Sequence, residues 1–160
     1  MNSVNDPVTV PVQGISHLTF IVRDLNRMTR FLCDGLGAME VYDSRARHYS
    51  LSHEKFFVLG GVWIAAMQGD APSTRSYQHV AFQVAEADLP AYRQRLEHVG
   101  AEFLPSRPRV AGEGASLYVY DFDDHLFELH TGTLSERLAR YAQEASEAAQ
   151  RHVYRPPSLP

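Results

Sequence analysis

Two stretches of this 160-residue chain begin alike, and that repetition limits the folds open to it more than any other feature. SHLTFIV (16–22) lies over QHVAFQV (78–84), with His17 above His79, Phe20 above Phe82 and Val22 above Val84. Each stretch is rich in apolar and β-branched residues and reads as a strand. Each is followed by a helical pattern. Asp24 can cap a helix with Leu25, Met28 and Leu32 on one stripe, ended by Gly35 and Gly37. Asp88 with Pro90 opens a second, carrying Leu89, Tyr92, Leu96 and Val99 and stopped by Gly100. Repetition on this scale predicts two copies of one β-α-β-β-β unit. One unit cannot cover its own sheet, so two must share a core. The expected class is α+β: two paired βαβββ modules (15–67 and 77–130) forming a cupped mixed sheet, with a C-terminal helix.

Within module one, further strands are expected at 38–43, 47–52, 55–59 and 62–67, and QGDAPSTRS (68–76) breaks the pattern before it restarts. In module two, the loop PSRPRVAGEGA (105–115) leads to strands at 116–121 and 125–130. Thr133 and Glu136 are spaced as a capping box for a final helix that Pro156 stops. Residues 1–13 read as a flexible arm, 14–141 as the repeated domain and 142–160 as a helical extension and tail.

Parity along the strands selects the chemistry. Leu18, Phe20 and Val22 share one face, leaving His17, Thr19 and Ile21 on the other. In the second copy His79, Ala81 and Gln83 lie opposite Val80, Phe82 and Val84. If the apolar faces pack under the helices, both histidines look into the concave side at equivalent places. On the last strand Leu126, Glu128 and His130 share a face, and a carboxylate between Phe127 and Leu129 is costly to bury unpaired. A divalent cation on His17, His79 and Glu128 resolves that cost and leaves positions open, as catalytic metals require. The first copy's counterpart of Glu128 is Ala65 or Ala66, neither of which can ligate. A single cysteine against eight histidines excludes an internal disulfide and a thiolate cluster, so the ligands must be nitrogen and oxygen. Geometry alone leaves Mn²⁺, Fe²⁺ and Zn²⁺ open. A net charge of −4 argues against nucleic-acid binding. The longest apolar run, 56–67, is too short to span a bilayer, and no leader is visible, so a soluble cytoplasmic protein is expected.

Four longer strings sharpen the reading: SHLTFIVRDL (16–25), SLSHEKFF (50–57), RPRVAGEG (107–114) and YDFDDHLFELHTGTLSERL (120–138). With the histidine and glutamate pattern they resemble the vicinal oxygen chelate (glyoxalase, bleomycin resistance and dioxygenase) superfamily, and within it the FosX-type fosfomycin epoxide hydrolases, over about 14–141. The resemblance implies Mn²⁺ (another divalent metal being possible) held by His17, His79 and Glu128. It implies a fosfomycin epoxide opened to a diol by water, with Glu54 taking the water's proton. It also implies phosphonate contacts from Thr19, Ser116, Tyr118 and Arg137, and from Arg107 or Arg109. Trp63 and Phe56 are expected as cavity wall, Tyr120 as core, and His125 and His130 as supporting groups rather than ligands. In the resembling family the site is shared across a homodimer, His17 of one subunit meeting His79 and Glu128 of the other. Two departures stand out: Ala115 precedes Ser116 where a cation is usual, and His53 stands where the family tends to carry Lys or Arg. The alternatives are a glutathione or bacillithiol transferase acting on fosfomycin, which has no use for Glu54; an extradiol dioxygenase; and a non-enzymatic drug-binding protein of the same fold, which needs no metal ligands.

Overall fold

Asp24 starts the first helix as its sequence position suggests, its carboxylate accepting the Asn26 and Arg27 amides at 2.8 and 3.1 Å. In the computed structural model, which describes residues 11–47, 49–105 and 114–153 (147–153 by backbone alone), module one runs β1 (His17–Val22), α1 (Leu25–Thr29), β2 (Met39–Asp43), β3 (Glu54–Leu59) and β4 (Val62–Gln68). A π-helical turn, Arg30–Leu36, prolongs α1 and closes on Gly37, whose φ of 83° suits glycine. Module two repeats the order: β5 (His79–Gln83), a short 3₁₀ turn (Glu86–Asp88), α2 (Leu89–Val99), β6 (Glu102–Leu104), β7 (Ser116–Tyr120) and β8 (Leu126–His130). Gly100, at φ 79°, ends α2 as Gly37 ends α1. The capping box forms reciprocally. Thr133 donates its amide to Glu136 at 2.7 Å and accepts the Glu136 amide at 3.2 Å, opening α3 (Leu134–Val153). Among the described residues no helix is long and apolar enough to cross a membrane.

Two expectations are corrected. Residues 47–52, read as a strand, form no strand where described, 49–52 running as bends, and β2 pairs directly with β3 through a register shift between Glu40 and Tyr42. Conversely β6, just after Gly100, was not anticipated. It is only three residues long, and antiparallel pairing with Val119 and its neighbours on β7 supplies what its short pattern cannot.

Each module makes one four-stranded mixed sheet, in the orders β1-β4-β3-β2 and β5-β8-β7-β6, with the first and last strands of each unit parallel. The apolar faces of both sheets and both helices join one core. Phe20, Val22, Phe57 and Ile64 from sheet one meet Leu117, Val119, Phe127 and Leu129 from sheet two, around Phe31, Leu32 and Leu96. Phe127 packs at 5.1 Å against both Phe20 and Phe31. The helices approach so closely at Gly35 that a Cβ there would stand 2.9 Å from Leu96 Cδ2. Polar ties flank the seam. Arg95 donates to the carbonyls of Asp34 (2.8 Å) and Cys33 (3.0 Å) at the end of the α1 turn, and Arg23 pairs with buried Asp123 at 2.8 Å.

Packing the core-facing sides together leaves the other side of each sheet outward. That side carries His17 and Thr19 in module one, and His79 and Glu128 in module two.

Candidate metal and substrate site

The strand registers fix how the two copies correspond. Thr19 lies opposite Ala65, and its counterpart Ala81 lies opposite Glu128, so Ala65, not Ala66, is the equivalent of Glu128. One strand further, Phe56 faces Ala65 as Tyr118 faces Glu128, and Glu54 faces Met67 as Ser116 faces His130. Glu54 and Ser116 therefore occupy the same slot in the two modules.

Module two gathers a connected polar cluster. Glu128 is buried, 6% exposed, in the middle of β8. Its Oε2 lies 3.0 Å from His79 Nε2, and its Oε1 accepts the Ser116 hydroxyl. Tyr118 also hydrogen-bonds this carboxylate and receives the Tyr77 hydroxyl at 3.3 Å. Burial pushes the Glu128 carboxyl up, but hydrogen bonds from Ser116 and Tyr118, with His130 and His79 beside it, outweigh that and hold it below its usual value. Tyr118 moves the opposite way: burial first, then its bonds to Tyr77 and Glu128, push the phenol up, so it stays a donor. His130 Nδ1 lies 2.7 Å from Ser116 Oγ, and Arg137, on the first turns of α3, approaches His130 Nε2 at 3.5 Å.

The donor set suits a divalent cation. His79 Nδ1 lies 2.8 Å from the Tyr77 carbonyl, which can only accept, so Nδ1 carries the hydrogen. Nε2 faces a carboxylate oxygen 3.0 Å away, and a positive charge between them, a proton on the ring or a metal ion, is what makes that approach favourable. One imidazole and one carboxylate do not complete a site. Among the described residues no group of three or more His, Cys, Asp or Glu side chains could hold a metal.

His17 lies in the other sheet, exposed, its ring 4.5 Å from that of Trp63 and its Nδ1 3.2 Å from Ser16 Oγ. Trp63 packs edge-on to Phe56 at 5.1 Å, and Phe56 lies 4.9 Å from Tyr42. Aromatic rings thus line this face from His17 across to β2. Thr19 lies on it too, at the rim of an open cleft of about 730 Å³ that His79 also lines. Glu54 stands at the start of β3, 7% exposed, with no hydrogen bond or ion pair to its carboxylate among the described residues. Its chain neighbour Lys55 points to the opposite face, to Glu40 (3.2 Å) and Asp43 (3.5 Å).

The structure thus brings together His79, Glu128, Ser116, Tyr118 and Arg137, and places His17, Thr19, Trp63 and Glu54 on one face of the other sheet, with Glu54 level with Ile21 rather than with His17. Arg107 and Arg109 lie outside the described residues. Tyr120 is buried with Tyr118, Leu104 and Leu126. His125 binds Asp121 at 2.7 Å against Phe20, and His53 binds Asp43 at 2.7 Å. Tyr77 was missed: it fixes the His79 ring through its carbonyl, and the available signal was its position two residues before His79, on the same face.

The glyoxalase/bleomycin resistance protein/dioxygenase superfamily model matches residues 14–129, and the chain belongs to that superfamily. Within it the chain is similar to proteins named for fosfomycin resistance. It is 55% identical to the fosfomycin resistance protein FosX of Mesorhizobium japonicum, over 87% of this chain and 99% of the relative. A crystal structure of FosX from Mesorhizobium loti superposes with a TM-score of 0.73 at 51% identity, covering 81% of this chain and 99% of that one. A variant of the Listeria monocytogenes FosX, complexed with Mn(II) and 1S,2S-dihydroxypropylphosphonic acid, gives 0.74 at 48% identity, covering 82% and 99%. The metallothiol transferase FosB of Shouchella clausii is more distant, 38% identical over 85% of this chain and 92% of its own.

Proposed function

We propose that the chain is a Mn²⁺-dependent fosfomycin hydrolase, working as a cytoplasmic homodimer, that opens the substrate's epoxide with water to give a diol. The observation that carries this reading is Glu54, a buried carboxylate on the same sheet face as His17, unengaged by Lys55 and free of other hydrogen bonds among the described residues. A proton acceptor for water needs those conditions. The ligand in the 48%-identical FosX complex, a dihydroxypropylphosphonate, is the product that adding water to an epoxypropylphosphonate yields.

His79 and Glu128 hold the metal together with the partner subunit's His17, since one chain offers only two of the three side by side. Bound Mn²⁺ supplies a Lewis acid for the phosphonate and epoxide oxygens. Glu54 takes one proton from water as its oxygen bonds to an epoxide carbon and that carbon's bond to the ring oxygen breaks. The released alkoxide then takes a proton from solvent, giving the diol, and Glu54 returns its own proton to solvent. Arg137, Tyr118, Ser116 and Thr19, with Arg107 or Arg109, bind the phosphonate, and Trp63 and Phe56 wall the cavity. A thiol transferase would bring its own nucleophile and leave Glu54 without a task.

Phosphorus NMR of fosfomycin incubated with the Mn²⁺-loaded protein tests the reaction. Diol formation without thiol is expected; an adduct seen only with glutathione would establish a transferase instead. Mixing inactive His17→Ala and Glu128→Ala chains tests the shared site. Activity should return in heterodimers, and its absence after demonstrated subunit exchange would refute sharing.

A further inference from the structure

We propose that His130 is a positioning residue that fixes the orientation of Glu128 through the Ser116 hydroxyl. The inference rests on the reading of His79 and Glu128 as metal ligands.

The assignment follows from counting protons along the chain of contacts. An ionised carboxylate only accepts, so the Ser116–Glu128 contact uses the one proton that serine has. Ser116 Oγ can then only accept from His130 Nδ1, 2.7 Å away, and that nitrogen must carry the ring hydrogen. Nε2 is left as an acceptor, and the group facing it at 3.5 Å is Arg137, which can only donate. Both ends of the chain demand the same polarity: Arg137 to His130, His130 to Ser116, Ser116 to Glu128. Bonds aligned in this way polarise one another. The result holds Oε1 of Glu128 on the serine and leaves Oε2 turned towards His79.

The register pins the participants. Ser116 and His130 are direct cross-strand partners on β7 and β8, and His130 stands two residues beyond Glu128 on the same face. Its side chain is 16% exposed, so water competes weakly for either ring nitrogen. In module one the equivalents of Ser116 and His130 are Glu54 and Met67, so no such chain can form there. One consequence concerns Ser116 itself: to bind the phosphonate as proposed above, it must turn its one proton from Glu128 to the anion.

The test measures Mn²⁺ affinity of the full chain without substrate, by electron paramagnetic resonance of free Mn²⁺, with thermal unfolding of each variant alongside. His130→Phe and Ser116→Ala should each weaken Mn²⁺ binding by roughly ten- to a hundredfold, as loss of an outer partner to a ligand does. The double variant should be no worse than the weaker single, because both cut one chain. His130→Asn places an amide donor near the Nδ1 position and should recover most of the affinity; it also serves if the phenylalanine variant fails to fold. Wild-type affinity in His130→Phe, failure of His130→Asn to recover, or multiplied losses in the double variant would each overturn the assignment. Glu128→Gln separates the two layers. If it loses Mn²⁺ while His130→Phe does not, only this inference falls; if it keeps Mn²⁺, the metal reading falls and takes the inference with it.

Discussion

Replacing Glu54 by glutamine exchanges one carboxylate oxygen for an amide and changes almost nothing else. Among the described residues the bonds of Glu54 are all made by its main chain: its amide donates to Ser44 Oγ at 3.0 Å, its carbonyl accepts the Ser44 amide at 3.0 Å, and β3 pairs it with Met67. None of these involves the carboxylate, so the variant should fold normally. A glutamine cannot take a proton from water. Loss of a positioned general base costs about 10²- to 10⁴-fold, which is about 2.7–5.5 kcal/mol in the barrier. The loss should appear in kcat, with the Mn²⁺ dissociation constant nearly unchanged, because His79 and Glu128 lie on strands of the other sheet and His17 pairs with Trp63, four residues along β4 from Met67, the partner of Glu54. Diol formation followed by phosphorus NMR at saturating fosfomycin gives kcat, and electron paramagnetic resonance gives metal binding on the same samples. A variant keeping more than about a tenth of the wild-type kcat would refute the assignment of Glu54 as base, since that leaves less than about 1.4 kcal/mol for it to supply. Parallel loss of Mn²⁺ would make it a ligand instead.

Three further outcomes follow from the geometry. Arg23→Ala leaves Asp123, whose side chain is 5% exposed, without its cation and, among the described residues, with only the residue 23 amide at 3.3 Å, and should destabilise by about 1–3 kcal/mol, whereas adding Asp123→Asn should recover much of that; urea unfolding checks both, and independent effects would refute the coupling. Gly35→Ala gains about 1 kcal/mol of helix propensity but sets a methyl 2.9 Å from Leu96 Cδ2, and overpacking of about 1–3 kcal/mol should win, lowering Tm unless Leu96 is shortened to valine. Asp43 is held down to about 2, first by the hydrogen bond from His53 and then by the Arg45 amide, below its ordinary 3.8. The stability it contributes is thus present above its ordinary value and lost as pH falls towards 2. His53→Ala should move the carboxyl back up, and an NMR titration of Asp43 that still centres on about 2 would contradict this.

How much of this was legible in the sequence depends on which interactions carry each part. The strand starts, the two helices and their ends at Gly37 and Gly100 follow from local patterns, although Gly35, read as a stop, lies inside the π-helical turn; the same patterns place His17, His79 and Glu128 on outward faces. β6 was invisible because three residues have no periodicity to read, and 47–52 misled because its alternation meets no partner strand. Cross-strand register is not local either, which is why the sequence left Ala65 and Ala66 undecided while pairing with Thr19 selects Ala65. The Tyr77 carbonyl contact uses main chain and leaves no trace in residue type. His130 was visible on the right face, but its bond to Ser116 needed coordinates.

The shared slot of Glu54 and Ser116 bears on how such an enzyme could arise. A duplicated unit begins with two identical outward faces, and each can then diverge without disturbing the other's backbone. Here one face has a carboxylate beside methionine and alanine, and the other a hydroxyl beside histidine and glutamate. The copies have diverged at this slot within the same backbone pairing, so a change at residue 54 in a descendant leaves the polar cluster of Ser116, Glu128 and His130 on the other copy untouched.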